Sequence, residues 1–328
     1  MAPPANPKSN SQTFVLPDGR TLGYATYGKP ASPTTPNIFY FHGFPGSRLE
    51  GAVCKFLQCN FPPTHALADE CISIGFEHPR HQGINAHVVS IDRPGMGLST
   101  FQPSRRILDW PSDVLALADH LSLPTFHVFA ISGGAPYAMA CAKDIPRSRL
   151  LNTAVVSGAY PLTLGTQGML FGIKFILYAA SWVPSFAGTL LDWDLGAAAR
   201  NPDPKVFEEK FMKAMAGRPK KDVRCLDDDV IRSSLLEAMR PAFLHDGKAA
   251  GYDLSLMSDW GFGLEDVEGM GMTLWHGGAD VNAPVGMANK AADLLKGCDF
   301  RLFEEETHMS LPFNHGEEIL KKLLDLEG

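Results

Sequence analysis

Clustered basic charge is what this 328-residue sequence most plainly lacks: its net charge is −7 and its lysines and arginines form no long runs. Phosphate recognition draws on clustered Lys and Arg, so nucleic acid is not expected as a partner. Cysteine is sparse, and Cys54, Cys59, Cys71, Cys141, Cys225 and Cys298 offer no C-x-x-C spacing. An apolar signal segment is missing too, since residues 1–12 are rich in Pro, Asn and Ser. The expectation is a cytoplasmic protein with reduced thiols. Hydrophobic residues make up 45% and charged residues 20%, an ordinary globular balance. The length suffices for one large core or a core plus a smaller domain.

Only one apolar run is long. Residues 168–191 carry Lys174 as their sole charge, and their length matches a membrane span. Lys174, Pro184 and several Gly and Ser argue otherwise, as do the strand-rich stretches on both sides. No integral span is expected, and the run reads as an apolar helix pair over a binding cleft. A second unusual stretch, residues 58–87, holds His65, His78, His81, His87, Cys59 and Cys71. These fit no metal-ligand spacing, so it reads as an insert without a metal site.

Strand and helix signals alternate along the rest. Residues 13–16 and 21–27 flank Pro17-Asp18-Gly19, a hairpin signal. Residues 38–41, 88–91 and 151–156 read as strands of the kind buried on both faces of a parallel sheet, 127–131 as a short apolar strand, and 272–276 and 300–303 as further strands. Helical patterns follow at 110–121, 284–295 and 317–326, and between 159 and 263, where 201–221 and 230–239 read as amphipathic. This alternation predicts an α/β fold with a mostly parallel sheet.

The stretch from His127 to Ala140 reads as strand, tight turn at Ser132, then a helix of small residues. Such a turn lifts the serine hydroxyl out of the backbone and brings the residues two before and two after it together. Here these are Ala130 and Gly134, small as the packing requires. Asp280 and His308 follow two later strands. Strand ends of an open α/β sheet converge on one crevice, so the three can meet in space. A serine hydroxyl needs a base to become a nucleophile; a histidine supplies it and a buried carboxylate orients the histidine. His315, His42 and His276 compete with His308, and Asp253 and Asp259 compete with Asp280. Asp280 is preferred because it alone follows the penultimate strand. Arg48 and Arg93 read as loop braces. The glycine-rich 42–47 loop suits binding of an oxyanion.

Five motifs in this order, His42-Gly43-Phe44-Pro45, Asp92-Arg93-Pro94-Gly95-Met96-Gly97, Ala130-Ile131-Ser132-Gly133-Gly134, His276-Gly277-Gly278-Ala279-Asp280 and Thr307-His308-Met309-Ser310, resemble those of α/β-hydrolases carrying a cap domain. The resemblance implies a core at 13–158 and 264–328 with a helical cap at 159–263, inserted after the sixth core strand. It implies a Ser132–Asp280–His308 triad and an oxyanion hole from the N–H groups of Phe44 and Gly133. The implied activity is hydrolysis of an ester or lactone of an apolar small molecule, without metal or cofactor, by a monomer or homodimer. Phe44, Phe171, Phe175, Tyr178, Trp182 and Phe186 are expected to line the substrate cleft. Epoxide hydrolases and dehalogenases of this fold would need aspartate at 132. Acyl transfer, C–C cleavage, cofactor-free peroxidation and a non-catalytic receptor are the rival uses of the same pocket.

Overall fold

The structure is a computed structural model and describes residues 10–55 and 85–325. All but the last three positions of the 58–87 insert lie outside the described residues. Eight strands form one sheet: β1 (Gln12–Val15), β2 (Thr21–Gly28), β3 (Asn37–Phe41), β4 (His87–Ile91), β5 (Phe126–Ile131), β6 (Leu150–Val156), β7 (Met272–Gly277) and β8 (Asp299–Phe303). Their spatial order is β1-β2-β4-β3-β5-β6-β7-β8. The β1–β2 hairpin and the β2–β4 pair are antiparallel and every other pair is parallel.

Alternation along the strands divides the core between two faces. Phe39, Phe41, Val128 and Ala130 pack with α1 (Trp110–His120) and α2 (Ala135–Asp144). Ile38, Tyr40, Phe129 and Trp275 turn to the opposite face. Both faces are covered, which is why these strands read as continuous apolar runs. Each fully buried aromatic or aliphatic side chain contributes roughly 1.5–3 kcal/mol, so the central strands dominate the stability of the core.

Between β6 and β7 the chain builds α3 (Phe171–Trp182), α4 (Pro184–Leu191), the short α5 (Ala197–Ala199), α6 (Pro204–Met215), α7 (Lys220–Arg224), α8 (Asp229–Met239) and α9 (Lys248–Ser258). The long apolar run is therefore two short helices broken at Val183-Pro184. Among the described residues no helix is long and apolar enough to cross a membrane. The amphipathic stretch at 201–221 also divides, ending at Met215 and restarting at Lys220 after Pro219. Helix α10 (Val285–Leu294) lies on the first face of the sheet and α11 (Ser310–Leu323) on the second.

Helix α11 starts seven residues earlier than the 317–326 pattern predicts. Pro312 falls in its first turn, where a missing N–H has no partner to lose. The Ser310 hydroxyl also accepts from the Thr307 N–H at 2.9 Å, securing the entry. His315 thus sits inside the helix and faces Glu318 and the Phe303 ring.

Candidate active site

β3 and β5 are neighbours, and the chain leaves β3 towards β4 on one side and β5 towards β6 on the other, which opens a crevice at their C-terminal ends. Ser132 stands at the end of β5, with φ at +49°. A left-handed backbone is costly for a side chain with a Cβ, and the tightness of the turn holds it there. Gly134 is obligatory in this packing: a Cβ on it would fall 2.4 Å from the Phe41 carbonyl oxygen. Ala130, where the usual motif has glycine, is fully buried against α1 and α2 without crowding the turn.

His308 Nε2 lies 2.9 Å from Ser132 Oγ, and His308 Nδ1 lies 2.7 Å from Asp280 Oδ2. The structure therefore brings together all three residues that the motifs single out. Asp280 is itself held: its Oδ1 accepts from the N–H groups of Asn282 at 2.7 Å and Ala283 at 3.0 Å. Ser157 Oγ donates to the His308 carbonyl at 3.0 Å, and the Met309 N–H donates to Asp222 Oδ1 of α7 at 2.9 Å. Burial would depress the His308 pKa, but the facing Asp280 carboxylate outweighs it, and the value is raised above the ordinary 6.5. Burial would raise Asp280 in turn; the His308 partner wins and holds it below the usual carboxylate range.

The competing histidines are otherwise engaged. His42 is fully buried, its Nδ1 2.9 Å from the Gly43 carbonyl, and burial followed by the Arg93 charge keeps it neutral. His276 Nε2 donates to the Ala283 carbonyl at 2.7 Å. Asp253 lies on α9, bonded to Arg93 and Arg105 rather than to a histidine.

The 42–47 loop runs beside the serine: a Cβ on Gly43 would come 3.6 Å from Ser132 Cβ. Its backbone is tied on several sides. Glu50 Oε1 accepts from the Gly43 N–H at 2.8 Å and from the Tyr40 hydroxyl at 3.0 Å. Arg93 donates to the carbonyls of His42 at 2.5 Å and Gly43 at 2.8 Å. The Phe44 N–H has no backbone or side-chain acceptor among the described residues. Gly133 is the second residue of the turn leading into α2, where the N–H groups are left without intrahelical partners. A Cβ on Gly133 would lie 2.9 Å from Phe44 Cβ, so the two residues adjoin.

The aromatic row is not brought to Ser132. Phe171, Phe175, Tyr178, Trp182 and Phe186 line an open groove of about 510 Å³ on the outer side of α3 and α4, together with Lys174 and Val183. Phe171 is 81% and Trp182 84% exposed. The inner side of the pair is made instead by Ile176, Leu177, Ala180 and Leu191, which pack on Leu254, Met257 and Phe44. The reason is α9, a helix that the sequence pattern did not single out. It lies under α3 and α4 and fills the place expected for their aromatic face. Of the expected substrate contacts only Phe44 stands at the site. Met257 on α9 was missed, and a Cβ on Gly133 would meet its Cε at 2.8 Å.

No curated protein matches the chain. Among solved structures it is similar to an enol-lactonase from Burkholderia xenovorans LB400, at 15% identity over 96% of this chain and 98% of that one, with a TM-score of 0.59. An esterase from Exiguobacterium antarcticum gives 13% identity, coverage of 96% and 98%, and a TM-score of 0.59. An alpha/beta hydrolase enzyme from a Medee basin deep-sea metagenome library gives 13% identity, 96% coverage of both chains and a TM-score of 0.61. At such identities the likeness is one of fold. The model of the alpha/beta hydrolase family matches residues 41–322, most of the chain and every strand from β4 to β8. By that match and by its eight-stranded, mostly parallel sheet, the chain belongs to the alpha/beta hydrolase family.

Proposed function

We propose that this hydrolase cleaves a carboxylic ester or lactone of a mostly apolar small molecule through an acyl-enzyme on Ser132. The observation that carries the reading is the unbroken chain Ser132 Oγ–His308–Asp280, with contacts of 2.9 and 2.7 Å, set beside two backbone N–H groups. His308 Nε2 takes the hydroxyl proton as Ser132 Oγ attacks the carbonyl carbon. Asp280 holds the imidazole in the tautomer with its proton on Nδ1 and stabilises the imidazolium that forms. The N–H groups of Phe44 and Gly133 receive the oxyanion, a contribution of ~3–4 kcal/mol per donor in comparable sites. His308 then returns its proton to the leaving alkoxide. It next deprotonates a water that attacks the acyl carbon and frees Ser132. No metal or organic cofactor enters these steps.

The 159–263 segment serves as the cap in this reading, on a core formed by 13–158 and 264–328, and α9 is its contact with the site. Met257, Phe44 and Met309 supply the apolar wall, which favours uncharged groups on both sides of the ester. Two solved relatives of the fold are named as an esterase and an enol-lactonase, which agrees with this chemistry. We place the protein in the cytoplasm as a monomer or homodimer. A panel of p-nitrophenyl esters and lactones, assayed with wild type and Ser132→Ala, tests the reading. Turnover that vanishes in Ser132→Ala supports hydrolysis. A folded wild type that binds these compounds without turning any over supports a receptor instead.

A further inference from the structure

Asp253 and Met257 stand one helical turn apart on α9 and so share a face. Met257 abuts Gly133, as described above. Asp253 is fully buried. Its Oδ2 accepts from Arg93 Nε at 2.9 Å, and its Oδ1 accepts from Arg105 Nη2 at 2.8 Å and from the Tyr137 hydroxyl. The two remaining nitrogens of the Arg93 guanidinium hold the carbonyls of His42 and Gly43. One planar group therefore links the inserted helices to the loop beside the serine.

The Gly43 carbonyl and the Phe44 N–H belong to the same peptide plane. Fixing the direction of that oxygen fixes the opposite direction for the hydrogen. We propose that Asp253 is a positioning residue: seated on α9, it orients the Arg93 fork, and the fork sets the Gly43–Phe44 peptide so that the Phe44 N–H points at the oxyanion. This rests on the acyl-enzyme reading above. It adds that the oxyanion hole is complete only while α9 is docked on the core. Burial would raise the Asp253 pKa, but the two arginines outweigh it and keep the carboxylate ionised, as the link requires. Without Asp253 the Arg93 plane keeps its carbonyl contacts but loses the third point that sets its orientation.

Full-length wild type, Ser132→Ala, Asp253→Asn and Tyr137→Phe are compared with a p-nitrophenyl ester. If wild type shows no Ser132-dependent turnover, the acyl-enzyme reading and this proposal fall together. Given turnover, Asp253→Asn is expected to lower kcat roughly ten- to a hundredfold, less than the ~10²–10³ that follows loss of an oxyanion donor. KM stays within about threefold, as for an interaction made in the transition state. The carbonyl stretch of the trapped acyl-enzyme moves up, towards that of an unpolarised ester. Tyr137→Phe removes a hydrogen bond to the same carboxylate yet leaves Arg93 engaged, so it lowers the melting temperature and leaves kcat and the stretch unchanged. Should Asp253→Asn not fold, Arg93→Lys keeps the charge without the fork and is expected to shift the stretch in the same direction. An unchanged stretch and kcat in the folded variant, or equal losses in Tyr137→Phe, would overturn the proposal while leaving the acyl-enzyme reading intact.

Discussion

His308 is pulled two ways, by burial towards a low pKa and by Asp280 towards a high one, and Asp280 prevails. A protonated His308 cannot take the Ser132 proton, so activity is lost as pH falls through its pKa. The acid limb of kcat/KM is therefore expected above pH 6.5; a limb centred well below that value contradicts the assignment of base and partner. Asp280→Asn should lower kcat by about 10⁴, the loss seen when the wrong tautomer is held in another triad, with little change in melting temperature. Ser132, Asp280 and His308 were legible in the sequence because each follows a strand and carries a local turn signature. Asp253 was visible only as a rival acid. Its partner Arg93 lies 160 residues away, and a pairing at that distance leaves no local pattern. Glu50 is a nearer case, its carboxylate reaching back seven residues to the Gly43 N–H from a segment with no motif of its own.

At the scale of elements, the strands declared themselves, and so did most helices between β6 and β7; α9 and the facing of the α3–α4 pair did not. A strand buried on both faces is a short, uniform apolar run, and β3 with all five residues buried is readable as such. The α3–α4 pair is apolar all round, so its pattern cannot say which face turns inward. Small and aliphatic residues went in, against α9, and the aromatics stayed out. Phe171→Ala and Phe175→Ala are accordingly expected to leave kcat/KM for bulky esters within about twofold, as for other exposed positions. A large rise in KM would return these rings to the cleft. Met257→Ala should instead admit bulkier acyl groups, shifting the preference between long and short chains by roughly 10-fold or more, at a stability cost of about 2–5 kcal/mol. Acyl-chain profiles of the two variants measure this directly.

For the molecule as a whole, β3 to β8 run parallel, so their C-terminal ends lie on one side of the sheet, and α9 packs there through Asp253 and Met257. The proposed chemistry draws its nucleophile, base and oxyanion donors from protein groups alone. A chelator, and the triple replacement of His65, His78 and His81 by Ala, should each leave ester turnover within a few-fold of wild type, since ligation would need spacing these residues lack. Abolition of activity by the chelator would give the 58–87 insert a role in catalysis.

A fluorophosphonate probe tests most directly whether Ser132 is the nucleophile. The phosphorus is attacked by an activated serine, the fluoride leaves, and the tetrahedral phosphonate oxygen takes the place of the oxyanion. Peptide mass spectrometry of the treated, folded protein should find one equivalent of adduct on Ser132, none in Ser132→Ala, and slower labelling in Asp280→Asn. A folded wild type that stays unlabelled, or carries the adduct on another residue, would contradict that role.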